Sequence, residues 1–289
     1  MNVPQILHPL SVAEILDKAF RIYRAHFWLF ISVTAIMLLP LSILQLLALL
    51  SLNNSLFHFL TQLLQLILIN NLLNGTLTVI ISDVYFGYST SIVKAYLQAL
   101  PRFWSFFSAN IRLGLMYLLP VIILFTLGTV ATALNIIFGA LVLISIVVLT
   151  PVYILFWSIR WGLGLPVIVL ENMGGREGLR RSWILTSNDF RRAAVVLTAS
   201  ALLSLNMVYL PQMFVNYSSR YFEFMDVVGP MLSLVLTQLG YIIAIPISIS
   251  ITVVLYYDLR IQYEGYDLEL TLQQATEQEL PVIDEQSST

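Results

Sequence analysis

From Phe27 to Ser82 the chain carries no Asp, Glu, Lys or Arg. A run of that length holds two membrane-spanning helices of about 20 residues each. The pattern predicts a hairpin of spans over residues 27 to 50 and 56 to 81, turning at Asn53, Asn54 and Ser55. The stretch just ahead of it, SVAEILDKAFRIYRAHF, reads differently. Val12, Ile15, Leu16, Ala19, Tyr23 and Phe27 fall at helical spacing, with Glu14, Asp17, Lys18, Arg21 and Arg24 mostly on other faces. Ser11 followed by Glu14 is a capping-box pattern, and Leu10 with Ile15 has the spacing of a hydrophobic staple. A basic amphipathic helix in the headgroup layer is therefore expected to lead into the first span.

The same device recurs. Residues 91 to 120 lie over residues 11 to 40 without a gap, at a period of 80, and both stretches close on Leu-Leu-Pro, at Pro40 and Pro120. A looser third unit begins near Gly174 with GGREGLRRSWILTSNDFRR. Further spans are expected at 113 to 134, 139 to 170, 193 to 215 and 228 to 257, and prolines 40, 120, 151, 211, 230 and 246 interrupt the apolar spans. The expected fold is an all-α polytopic membrane bundle. It has six transmembrane helices, and basic amphipathic interfacial helices precede spans 1, 3 and 5 in a threefold hairpin repeat. Residues 1 to 270 form a single integral membrane domain, followed by an acidic disordered tail over 271 to 289.

Composition agrees: 58% of the 289 residues are hydrophobic and 10% charged, against about 25% charged in a soluble domain. The absence of cysteine excludes disulfides and thiolate metal sites. Charge is uneven, with seven acids and no base from Ile261 onward, so the body is +5 and the end −7. Thirteen bases fall on one side of the expected spans and only Arg220 on the other. By the positive-inside rule both termini face the cytoplasm, and the first span is expected to act as its own targeting signal.

Candidate chemistry is sparse. The second span is the most polar, yet on a regular helix His58, Gln62 and Gln65 share one face while Asn71, Asn74 and Thr78 lie roughly opposite. No single polar stripe runs its length, which favours interhelical hydrogen bonding over a solute path through His58, Gln62, Gln65 and Asn74. Asp83, Arg112, Arg160, Glu171, Asp258 and Arg260 all fall near the basic interface rather than at the bilayer centre. There is no G-x-S-x-G, H-E-x-x-H or Walker pattern, and His8, His26 and His58 are widely separated. Neither an enzyme, a cofactor, a metal site nor a nucleic-acid partner is expected. The connection 171 to 192 is the richest in bases. Arg176, Arg180, Arg181, Arg191 and Arg192 are expected to meet phosphates of anionic lipids or a partner protein, with Trp183 and Phe190 anchored at the interface.

Three stretches carry a resemblance: HPLSVAEILDKAFRIYRAHF, LENMGGREGLRRSWILTSNDF and LYYDLRIQYEGYDLEL. Together they resemble a family of uncharacterised bacterial six-span proteins, related to the membrane domain fused to some glycerophosphoryl diester phosphodiesterases. In such fusions a separate soluble domain is the hydrolase, so the resemblance implies a bacterial cytoplasmic membrane, an accessory role and no phosphodiesterase activity here. The leading expectation is a non-catalytic membrane protein whose basic segments engage anionic lipid or a partner at the cytoplasmic face. The alternative is a transporter or channel for a small or lipid-like solute. A side-chain-filled interior favours the first; a polar cavity open to one side favours the second.

Overall fold

The computed structural model describes residues 10–50, 55–222 and 224–266. Among them every regular element is a helix. The tail expected over 271 to 289 lies outside the described residues, as do Asn53 and Asn54 of the first expected turn.

The first lead-in is α1 (Val12–Ala25), opened by the expected capping box: Ser11 Oγ accepts from the Glu14 backbone N–H, and the Glu14 carboxylate accepts from that of Ser11. Its apolar stripe, Ile15, Ala19 and Tyr23, is buried. That burial is against protein, chiefly the end of the last helix, so α1 is held by packing rather than by an open face turned to lipid. After a break at His26, α2 (Phe27–Leu50) follows at the expected span, with Pro40 inside it.

The return is less regular than expected. Residues 55 to 85 are α3 (Ser55–Leu64), a π turn (Gln65–Ile69) and α4 (Asn70–Tyr85). Five other helical stretches are each long and apolar enough to cross a membrane. This broken sixth is not among them.

The second unit is α5 (Ile92–Ala99), a short 3-10 turn, α6 (Phe103–Leu134), α7 (Ile136–Trp161) and α8 (Gly164–Leu170). Here the lead-in does keep an open apolar stripe: Val93, Leu97, Leu100 and Trp104 recur at helical spacing and are all exposed. At the tip, Asn135 caps α7 by accepting from the Ile137 and Phe138 N–H groups. The span expected over 139 to 170 is broken after Trp161, because Gly162 and Leu163 open a turn before α8.

The third unit is α9 (Gly175–Asn188), α10 (Phe190–Ser218) and α11 (Met225–Glu264). Glycines let α9 approach closely. A Cβ on Gly175 would run into the Ser105 carbonyl oxygen, and one on Gly178 into the Ile168 side chain. Helix α11 runs unbroken through Pro230 and Pro246 and ends at Gly265, whose φ of 63° is the left-handed cap that glycine takes without strain. The order of short helix, long helix and returning helix thus occurs three times. The core is built around α11, against which α1, α2, α4 and α10 pack. The α6–α7 hairpin leaves most of its apolar surface uncovered.

Candidate functional site

The three stretches that carry the family resemblance, remote in sequence, meet at the basic end. The Leu10 backbone N–H donates to Asp258 Oδ1 at 2.7 Å. Asp258 has a fully buried side chain, and its Oδ2 lies 2.8 Å from Arg192 Nη2. That contact is Coulombic, since neither atom finds hydrogen-bond alignment there. Arg192 also donates through Nη1 to Gln262 at 3.0 Å. Beside it, Glu171 accepts from Arg181 Nε and from the Tyr256 hydroxyl, both at 2.9 Å. Glu264 accepts from Arg181 Nη2 at 2.6 Å and from Arg260 Nε at 3.2 Å. Burial works against the charge of Arg181, but its hydrogen bonds to Glu264 and Glu171 and their charges prevail, so its pKa is raised.

Aromatic rings complete this junction. The Lys18 ammonium sits 3.9 Å from the centroid of the Tyr85 ring, which stacks on Tyr257 at 5.0 Å. Burial, followed by the charge of Arg21, lowers the Lys18 pKa, and Asp258 partly offsets them. Arg160 stands 4.6 Å from the centroids of both Trp183 and Phe190 and donates to Ser187 at 2.7 Å.

The six residues singled out for lipid or partner binding therefore divide. Arg181 and Arg192 are internal braces, and Trp183 holds Arg160 and packs 5.3 Å from Trp157. Arg176, Arg180 and Arg191 are exposed and make no ion pair among the described residues. Sequence order concealed this because a pair such as Arg181 and Glu264 is 83 positions apart.

A second polar cluster lies about 30 Å along α11 from Asp258, the rise of the 20 residues back to Gln238. There Gln238 Nε2 donates to Gln45 Oε1 at 2.8 Å, and Gln45 Nε2 donates to Gln65 Oε1 at 2.7 Å. This chain of amides ties α11 to α2 and to the π turn. Gln45 is 5% and Gln238 8% exposed, and Gln238 Oε1 has no donor. The chain borders a cavity of about 440 Å³, also lined by Gln62, Asn70, Gln212, Thr237 and Tyr241. Of its lining residues, Gln62 and Pro230 are exposed. Toward the basic end α11 is packed solid, with Val253 through Tyr256 at 0% exposure. A smaller cavity of about 270 Å³ adjoins it, lined by Asn74, Ser204, Val208, Tyr209, Ser248 and again Tyr241.

The sequence pattern kept Gln62 and Asn74 apart, and the π turn alters that. On a regular helix they stand about 120° apart. A π turn absorbs one extra residue and turns everything after it back by about 100°, which leaves them within about 20°. Asn71 goes elsewhere, accepting from Asn110 on α6 as interhelical glue. His58 lies in α3, but its side chain is outside the described residues. Gln45 and Gln238 escaped notice, although a lone glutamine in an apolar span is costly to bury and signals a partner on another helix. Among the described residues no group of three or more His, Asp or Glu could hold a metal.

A family model described as the membrane domain of glycerophosphoryl diester phosphodiesterase matches residues 134–283, just over half of the chain. No curated protein and no solved structure matches.

Proposed function

Because the chain belongs to the family of the membrane domain of glycerophosphoryl diester phosphodiesterase, and so is a multi-pass membrane protein, we propose that it binds or passes a small or lipid-like solute at the amide-lined cavity, without catalysis. The observation that carries this reading is the Gln238–Gln45–Gln65 chain, which lies at the edge of a 440 Å³ cavity that Gln62 also lines. Within this chain Gln238 Oε1 is left without a donor, and Gln62, Asn70 and Gln212 add further amides to the cavity wall. The volume falls in the range of ligand sites, about 300–1,000 Å³. The amide-lined cavity supports placing the solute reading ahead of the other.

The test is recovery of bound small molecules and lipids from the protein purified out of its native membrane in nanodiscs, compared with Gln62→Leu. Gln62 is exposed and outside the amide chain, so its replacement leaves the fold in place. A molecule that copurifies with the native protein and is lost from Gln62→Leu supports the reading. Identical contents in both overturn it.

A second reading rests on Arg176, Arg180 and Arg191, exposed near the basic end. They would engage anionic headgroups or a partner at the cytoplasmic face of a bacterial inner membrane, in keeping with the asymmetry of bases. Replacing these three by Gln should weaken binding to phosphatidylglycerol nanodiscs, and unchanged binding would remove this role.

A further inference from the structure

Resting on the cavity reading above, we infer that the two adjoining cavities form one bipartite site for an uncharged amphiphile, with a hydroxyl-bearing head in the amide compartment and a short hydrocarbon chain in the smaller one. Three observations converge on that class of ligand.

The first is charge. No residue lining either cavity is Asp, Glu, Lys or Arg, and an ionic head would enter a low-dielectric site with no counter-charge to meet it. The second is hydrogen-bond polarity. Six amide side chains line the first space, Gln45, Gln62, Gln65, Asn70, Gln212 and Gln238, and amide carbonyl oxygens call for a head that brings O–H or N–H groups. Hydroxyls do this and also accept from the amide N–H groups that line the same space. The third is the contrast between compartments. The 440 Å³ space is walled by Gln45, Gln62, Gln65 and Gln238, whereas the 270 Å³ space has no glutamine and sets Leu205, Val208, Ala244, Ile245 and Ile249 beside Asn74, Ser204 and Ser248. Tyr241 belongs to both walls, and its hydroxyl faces that of Tyr209. A molecule with a wet end and a dry end fits that division, and the π turn aligns Gln62 of the first compartment with Asn74 of the second.

The experiment uses the full chain in detergent-free phosphatidylcholine nanodiscs and measures saturable binding of radiolabelled octyl β-D-glucoside below its micellar concentration, with empty nanodiscs subtracted. Competitors are hexyl and decyl glucoside, free glucose, octyl sulfate and octyltrimethylammonium. The expected result is saturable binding that depends on chain length, with free glucose and both charged octyl compounds competing at least tenfold more weakly. Gln62→Leu should weaken glucoside binding about tenfold. Ser204→Leu, which fills the smaller compartment and leaves the amide chain intact, should abolish the dependence on chain length. Equal competition by free glucose, or a chain-length dependence that survives Ser204→Leu, would overturn the bipartite site while leaving the amide cavity as a solute site. Equal competition by a charged head would overturn the ligand class. Absence of any saturable binding by glucoside would likewise overturn it, and the recovery of bound molecules described above would still decide the cavity reading by itself.

Discussion

The carboxylate of Asp258 accepts the backbone N–H of Leu10 at 2.7 Å across 248 positions of sequence, while its other oxygen faces Arg192. One buried acid thus closes the start of the chain onto the end of its last helix. In Asp258→Asn the acceptor for Leu10 is kept and only the charge is lost, so Arg192 remains with its charge uncompensated. Removing one partner of a buried pair costs about 3–5 kcal/mol. The thermal midpoint in nanodiscs should fall accordingly, and adding Arg192→Met to Asp258→Asn should restore part of the loss. A midpoint unmoved by Asp258→Asn would show that the pair contributes nothing.

Helices α10 and α11 approach closely at Gly240. A Cβ there would stand 2.8 Å from the Met207 carbonyl oxygen and 2.9 Å from Val208 Cα, both backbone atoms that cannot swing aside. Gly240→Ala should destabilise by about 1–3 kcal/mol, the usual cost of overpacking. Gly114→Ala is the control: nothing lies within 4 Å of a Cβ there, so the better helix propensity of Ala should leave the midpoint level or raise it. Equal midpoints for the two variants would contradict the close approach.

Deleting Ile67 from the π turn should convert residues 55 to 85 into one regular helix. Everything after the deletion would rotate by about 100° relative to α3. Either Gln65 then leaves Gln45 or Asn71 leaves Asn110, and Asn74 departs from the face of Gln62. Circular dichroism should keep its helical signal while the thermal midpoint falls and glucoside binding disappears. A deletion variant with native midpoint and native binding would show that the turn sets no register.

The chain contains no cysteine, so single cysteine variants label without background. Arg220→Cys should react with a membrane-impermeant maleimide in intact cells, and Arg180→Cys only after the membrane is opened. The opposite outcome would invert the orientation drawn from the asymmetry of bases.

Lys18 titrates below its ordinary value because it is half-buried against Tyr85 and near Arg21. Between its folded pKa and 10.5 the unfolded chain binds the extra proton, so stability should rise with pH across that window and be complete above it. Lys18→Met should flatten that share of the rise in thermal midpoint between pH 8 and pH 10.5. Parallel pH curves for the two proteins would rule out the effect.

Much of the architecture was readable because lipid and helix geometry each leave a strong periodic trace. The span over 27 to 50, the capped helix ahead of it and the thrice-used order of short helix, long helix and return all follow from charge-free runs and turns of 3.6 residues. The broken return at 65 to 69 was not readable. A π turn has no hydrophobic signature of its own, and assuming a regular helix there put Gln62 and Asn74 on different faces.

The arginines show the same boundary from another side. Sequence determined that bases gather at one end of the spans, since that depends only on their count between apolar runs. It did not determine which of them face outward. Arg180 and Arg181 are neighbours, yet Glu171 and Glu264 reach only the second, because helix α9 turns about 100° between them. Likewise the lone glutamines 45 and 238 are visible as anomalies in apolar spans, while their pairing with each other and with Gln65 required three helices to be brought to the same depth. Composition and period fix where a helix lies and how long it is; which polar groups meet depends on rotation and register between helices, and only the packed tertiary structure sets those.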